Sequence, residues 1–292
     1  MATDLSTLST ELAGLVERAA PCVAAVHAHP RFSSSGVFWR PGVLVTAEHT
    51  LRREDGITVT LPDGTAVPAA FAGSDPGTDL AVLRTEQPGH VPPSLNAEPA
   101  PGHIALAIGR SQDSGVNASM GIVSAAGPAW RTWRGGRLDR YIRLDLNLFP
   151  MSSGGLVVNA AGEAVGIATS ALSRIAAVAI PASTVNRVVD DLLARGRVRR
   201  GYLGVGLQPV ELPDHHKGLI VLSLEPDGPA AKAGVFIGDV LVALGGRAVA
   251  DTEDIQTALE TRTPGETIEA EAVRGGVRQT LAIAIGERPG RS

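Results

Sequence analysis

Cysteine is nearly absent: Cys22 stands alone among 292 residues. An intrachain disulfide framework and a cysteine-rich metal site are therefore both excluded, and Cys22, with no reactive partner nearby, reads as a small buried apolar residue. Basic charge is not in excess either. The chain has 26 Lys and Arg against 30 Asp and Glu, a net charge of −4, and no long basic run, which argues against bulk nucleic-acid binding. No stretch approaches the roughly eighteen uncharged apolar residues of a membrane-spanning helix. Met1 to Leu12 show neither a basic n-region nor a continuous apolar h-region, so no signal peptide is expected. Read as a natural start, this predicts a cytoplasmic protein; for a trimmed chain, a periplasmic or other extracytoplasmic location stays open. What is present, 44% apolar and 19% charged residues, is an ordinary soluble globular composition, long enough for two modest domains.

The most informative stretch is Pro150-Met151-Ser152-Ser153-Gly154-Gly155-Leu156-Val157-Val158-Asn159, a Ser-Gly-Gly turn running into an apolar strand. A serine hydroxyl is a weak nucleophile at neutral pH, so Ser153 needs a general base and a carboxylate to orient that base. Candidates for both lie upstream. His49 ends the alternating strand Gly42 to Ala47, and Asp79 sits where the polar turn Asp75-Pro76-Gly77-Thr78 gives way to Leu80-Ala81-Val82-Leu83. The order His, Asp, Ser, with separations of 30 and 74 residues, is that of the chymotrypsin triad. It is not the α/β-hydrolase order, and no G-x-S-x-G elbow is found.

These three segments resemble those of the bacterial HtrA (Deg) serine proteases, whose patterns run T-N-x-H-V, T-D-L-A-V-L and G-N-S-G-G-P-L-V-N. The resemblance implies Ser153 as nucleophile, His49 as proton shuttle and Asp79 as the group that orients the imidazole. It implies an oxyanion hole made by the N–H groups of Met151 and Ser153. The family usually has Gly where Met151 stands, and loss of one such donor costs about 3–4 kcal/mol in the transition state. Glu48, beside His49, is another departure: a carboxylate pointing inward there favours the protonated imidazole. By the same resemblance Leu148, Ala168 and Ser170 line an S1 pocket without an acidic residue, which suits a small or medium aliphatic P1 side chain. Plain core packing is the alternative for Leu148.

Along the chain, Leu5, Leu8, Leu12, Leu15, Val16 and Ala19 recur at helical spacing after a cap at Thr3 or Asp4, and Pro21 ends that helix. Short β-rich runs follow from Cys22 to Ile180, punctuated by Gly, Pro, Asp and Ser, as an all-β barrel or sandwich writes itself into sequence. A helix from Pro181 is capped by Gly196. Trp130-Arg131-Thr132-Trp133-Arg134-Gly135-Gly136-Arg137 reads as an exposed loop, with an activation loop and a single-strand nucleic-acid patch as alternatives. Arg195 to Arg200 reads as a solvated linker.

Beyond it an α+β pattern begins, in segments such as Asp227-Gly228-Pro229-Ala230-Ala231-Lys232-Ala233-Gly234 and Gly238-Asp239-Val240-Leu241, that resembles an HtrA-type PDZ domain. The expected fold is an all-β chymotrypsin-like double β-barrel followed by an α+β PDZ domain: a helical segment over 1–20, the protease domain over 21–197, the PDZ domain over 198–288 and a tail over 289–292. Tyr202-Leu203-Gly204-Val205 is the expected carboxylate-binding loop for carboxyl-terminal peptides. His215 and His216, adjacent in a loop, are weak as metal ligands and read as solvated; no metal and no cofactor are expected. The resemblance further implies unfolded polypeptide substrates and a homotrimer, with neither nucleic acid nor membrane as partner. A pseudoprotease serving as a peptide-binding scaffold or holdase is the alternative.

Overall fold

The computed structural model describes residues 4–90, 95, 97–196, 198, 201–212, 217–260 and 262–287. Two compact units lie on either side of the 198/199 peptide.

In the first unit, helix α1 (Leu5–Ala19) is capped by Asp4, whose carboxylate accepts from the Ser6 N–H, and its Leu15 and Ala19 are buried. Strands β1 (Val23–His27), β2 (Ser34–Arg40), β3 (Val43–Ala47), β4 (Ile57–Thr60), β5 (Ala66–Asp75) and β6 (Leu80–Arg84) close one antiparallel barrel in the order β1-β2-β3-β6-β5-β4. Strands β7 (Ile104–Ser111) and β8 (Gly115–Gly127) follow, then a short hairpin, β9 (Trp130–Arg131) with β10 (Arg137–Leu138). With β11 (Tyr141–Asp145), β12 (Leu156–Asn159), β13 (Ala164–Thr169) and β14 (Ala177–Pro181), β7 and β8 close a second barrel, β11-β14-β13-β12-β7-β8.

Successive strand residues face opposite sides, and here both sides are apolar. Leu44 fills the first barrel while its neighbours Val43 and Val45 join a central cluster; Val157 fills the second barrel while Leu156 and Val158 join that same cluster. The central cluster draws residues from both barrels, from α1 and from helix α2 (Ala182–Arg195). Strands buried on both faces carry continuous apolar runs, which is why Val43-Leu44-Val45 and Leu156-Val157-Val158 lack polar alternation. Gly196, at φ +71°, ends α2 by donating its N–H to Leu192 O.

Strand β8 is long because its first part pairs with all of β7, from Ile104 to Ser111. One expectation about this unit changes. The segment from Trp130 to Arg137 is a tight hairpin rather than a plain exposed loop. Gly135, at φ +80°, lets the chain reverse, and the buried Thr132 hydroxyl accepts from Gly136 N at 3.0 Å while donating to Gly77 O at 2.6 Å.

The second unit holds β15 (Gly201–Tyr202), β16 (Val205–Glu211), β17 (Lys217–Leu224), α3 (Pro229–Lys232), β18 (Val240–Leu244), β19 (Arg247–Ala248), α4 (Thr252–Glu260), β20 (Thr267–Arg274), β21 (Val277–Ala284) and β22 (Gly286–Glu287). Its main sheet runs β16-β17-β18-β20-β21, and its core gathers Leu203, Leu219, Val221, Leu241, Ile255, Leu259, Ile268 and Ile283. Strand β16 contains Gly206 and Pro209, which disguise it in the sequence. His215 and His216 lie outside the described residues.

One buried charge organises this unit. Asp239 accepts from Arg274 Nε and Nη2, both at 2.7 Å, and from Phe236 N at 2.8 Å, while the guanidinium also donates to Gly234 O at 2.7 Å. The Arg274 hydrogen bonds hold the Asp239 carboxyl below its ordinary value of 3.8. Its stabilisation is therefore complete above 3.8 and is lost as pH falls through the lower native value. Asp239→Asn is expected to cost about 2 kcal/mol and lower the unfolding midpoint of this unit by about 10 °C. Calorimetry at neutral pH checks this, and the gap between the two proteins closes in strongly acidic solution.

Candidate active site

The chain brings His49 and Asp79 together where β3 and β6 end side by side, Ala47 opposite Leu80. Beyond β3 a single 3-10 turn, Glu48–Thr50, projects the His49 ring, and the Thr50 hydroxyl closes that turn on Ala47 O at 2.7 Å. Before β6, Asp75 Oδ1 accepts from Gly77 N at 3.1 Å and its Oδ2 from Thr78 Oγ1 at 2.7 Å. This turn delivers Asp79 in the left-handed region, at φ +59°, a conformation that Asp tolerates better than most residues.

The Asp79 side chain is fully buried. Its Oδ1 accepts from His49 N at 2.9 Å; His49 Nδ1 lies 2.8 Å from Oδ2 and 3.0 Å from Oδ1; and Thr169 Oγ1 donates to Oδ2. A buried carboxylate persists only when its lone pairs are satisfied in this way. Because an ionised carboxylate only accepts, the imidazole proton sits on Nδ1 and Nε2 is left as a base.

Ser153 is fully buried. Its Oγ pairs with Ser170 Oγ at 3.2 Å, and Ser170 follows directly on the Thr169 that holds Asp79. The Ser153 segment and the His49–Asp79 pair thus meet at the end of β13. Among the described residues no hydrogen bond joins Ser153 to His49. The loop before Ser153 forms a 3-10 turn over Pro150–Ser152, with Ser152 N donating to Phe149 O at 2.8 Å. It is tied to both barrels. Ser35 Oγ donates to Met151 O at 2.7 Å, Ser35 N to Ser153 O at 3.2 Å, and Ser152 Oγ to Asn117 Oδ1 at 2.7 Å. Gly154, at φ +87°, passes so close to the first barrel that a Cβ there would lie 2.2 Å from Ser35 O.

Of the expected S1 residues, Ala168 is fully buried, Leu148 is half-buried against the core of the second barrel, and Ser170 is exposed. Glu48 does not stand alone beside His49: Arg134 Nη1 lies 3.3 Å from its Oε2 and 3.7 Å from Asp79 Oδ1. Thr169, Ser35, Asn117 and Arg134 were not singled out from sequence for these contacts. Each is a common residue type, and only its partner, between 35 and 116 positions away, marks it. No group of three or more His, Cys, Asp or Glu suited to a metal ion occurs among the described residues.

In the second unit, Leu203 O accepts from Ala230 N and Gly204 O from Glu225 N, both at 2.9 Å, with Gly204 at φ +74°. Leu203 is buried, Tyr202 pairs with Gly286, and Val205 opens β16, an edge strand of the sheet.

Residues 34–167 match the model of a trypsin-like peptidase domain and residues 201–285 that of a PDZ domain. The serine endoprotease DegS of Escherichia coli (strain K12) is 32% identical over 318 residues, covering 98% of this chain and 88% of the relative. The chain belongs to the HtrA family. As an HtrA protein it carries the trypsin-like double barrel followed by a carboxyl-terminal PDZ domain. A probable periplasmic serine endoprotease, DegP-like, of Brucella suis is 35% identical over 280 residues, which cover 90% of this chain and 54% of that protein. This HtrA chain thus spans about half the length of the DegP-like relatives it matches. Among solved structures, the serine endoprotease from Yersinia pestis superposes with a TM-score of 0.78 at 31% identity, covering 94% of this chain and 97% of the other. The HtrA-type protease AlgW with decapeptide gives 0.78 at 30% identity, covering 96% and 99%. No helix among the described residues is long and apolar enough to cross a membrane.

Proposed function

We propose that this HtrA chain is a serine endopeptidase in which Ser153 attacks the scissile carbonyl. His49 Nε2 takes the serine proton and returns it to the leaving amine, and Asp79 holds the imidazole tautomer and stabilises the imidazolium. The observation that carries this reading is the buried Asp79 carboxylate, bound at once by His49 Nδ1, His49 N and Thr169 Oγ1. Such an arrangement leaves Nε2 basic and aimed away from the carboxylate. Attack requires the Ser153 hydroxyl to exchange Ser170 for His49; catalytic hydrogen bonds that are long or unformed without substrate commonly tighten in the Michaelis complex. The N–H groups of Met151 and Ser153 are the proposed oxyanion donors. With Leu148, Ala168 and Ser170 as the pocket wall, the substrates are unfolded polypeptides cut after small or medium aliphatic residues.

The PDZ domain is proposed to take carboxyl-terminal peptides. The exposed edge of β16 offers a strand partner, and Tyr202-Leu203-Gly204-Val205 offers the carboxylate cradle, its two central carbonyls already occupied from within. A trimer of protease domains belongs to the same reading. So does a periplasmic location, which the DegP-like relatives' names carry.

The 3-10 turn at Pro150–Ser152 and the Ser153–Ser170 pair favour a second reading, a catalytically silent scaffold that binds peptide termini. Fluorophosphonate labelling separates the two. The expected result is covalent modification located at Ser153 by peptide mass mapping. Absence of labelling, with and without added carboxyl-terminal peptide, supports the scaffold.

A further inference from the structure

We infer that Arg134 is a positioning residue for the His49–Asp79 pair, drawing Glu48 away from the imidazole so that Asp79 alone faces Nδ1. The hairpin that carries it is anchored independently of its side chain. Thr132 Oγ1 donates to Gly77 O at 2.6 Å, two residues before Asp79, and Gly136 packs so tightly that a Cβ would lie 2.1 Å from the same carbonyl. The backbone of residue 134 is thereby held against the turn that delivers Asp79. From there one nitrogen, Nη1, reaches Glu48 Oε2 at 3.3 Å and stands 3.7 Å from Asp79 Oδ1. The guanidinium carbon lies 5.0 Å from the Trp133 ring centroid, which limits its alternatives.

Two carboxylates, those of Glu48 and Asp79, lie beside one guanidinium here. Glu48 is the neighbour of His49 in the chain, and its N–H donates to Asp79 O at 3.0 Å. An inward Glu48 would compete with Asp79 as acceptor and repel it. The side chains of Arg134 and Glu48 are 25% and 26% exposed, sheltered enough for the pair to be felt at the dyad yet open enough for substitution without loss of the fold. Arg134 gives Glu48 a cation as partner in place of the imidazole, and the two opposite charges offset each other beside His49. In sequence Glu48 stands as an isolated departure; its compensation lies 86 residues downstream.

The kinetic consequence rests on the endopeptidase reading, whereas the geometric content is testable without turnover. The full chain is compared with Arg134→Gln, Arg134→Lys, Glu48→Gln and the double variant Glu48→Gln/Arg134→Gln. The first readout is the low-field proton resonance of the His49 Nδ1–H bound to Asp79, assigned by its loss in His49→Ala. The second is steady-state cleavage of a casein-derived peptide. In Arg134→Gln the resonance is expected to broaden or move, with kcat about tenfold lower and KM within about twofold of the parent, since orientation and not substrate contact is lost. Arg134→Lys and the double variant are expected to recover the resonance and most of the rate, a coupling that independent sites do not show. An unchanged resonance in Arg134→Gln, or losses that multiply in the double variant, overturns the inference. If the parent never cleaves while the resonances behave as stated, the endopeptidase reading fails and the positioning role stands.

Discussion

Replacement of Ser153 by Ala is expected to lower kcat on unfolded casein by about a millionfold, leaving no detectable product. The size follows from the arrangement of parts. In the proposed mechanism the imidazole and Asp79 act only through the serine oxygen, so removing that oxygen idles the whole constellation. Ser153 is fully buried, and among the described residues its one side-chain hydrogen bond goes to Ser170. The alanine therefore removes one hydroxyl without leaving a charge, and the fold is expected to survive. Hydrolysis by the purified parent and variant, side by side, checks this. Equal cleavage by both would trace the activity to a contaminant, and silence in both would favour the scaffold reading.

Asp79→Asn is expected to cost about ten-thousandfold in kcat with little change in fold, again read on casein. The reason lies in which atoms face Asp79. Its Oδ1 must accept from His49 N at 2.9 Å, so the amide oxygen of Asn is drawn to that position. The amide NH2 then stands where Oδ2 accepts from His49 Nδ1 and from Thr169 Oγ1. A donor facing Nδ1 forces that nitrogen to be the acceptor, and the ring proton moves to Nε2, where it blocks proton transfer from Ser153. Asn tolerates the φ of +59° at this position as Asp does, so the loss is one of tautomer and not of backbone. Retention of activity above a hundredth of the parent would show that the carboxylate is not the orienting group.

Asp239→Asn and Arg134→Gln act on smaller scales and at different levels. The first removes a charge-assisted pair inside the second unit and reads out as stability. The second leaves the fold in place and reads out at the imidazole. Together with the substitutions in the proposed triad they separate nucleophile, tautomer, orientation and scaffold.

Much of this molecule was legible in the order of its residues. Short apolar runs broken by Gly, Pro and Asp read as the strands of a barrel or sandwich. The near-absence of cysteine removed disulfides and thiolate metal sites. His49, Asp79 and Ser153 each stand at a strand end in a recognisable local context, which is why they could be picked out before any contact was known. Local rules suffice for these, because strand periodicity, turn chemistry and chain order are properties of neighbouring residues. Contacts between distant segments are not. Ser35 on Met151, Asn117 on Ser152, Thr169 on Asp79 and Arg134 on Glu48 are single polar side chains of common types, and nothing in their own surroundings in the chain distinguishes them from solvated ones. The hairpin at Trp130 to Arg137 looked like a loop because its anchoring partner, Gly77 O, is a backbone atom that no sequence pattern displays. Tertiary structure alone decided that Glu48 has a cation beside it and that Ser153 rests against Ser170. Closing two barrels onto one shared apolar cluster determines those distances, and that closure is a property of the whole chain.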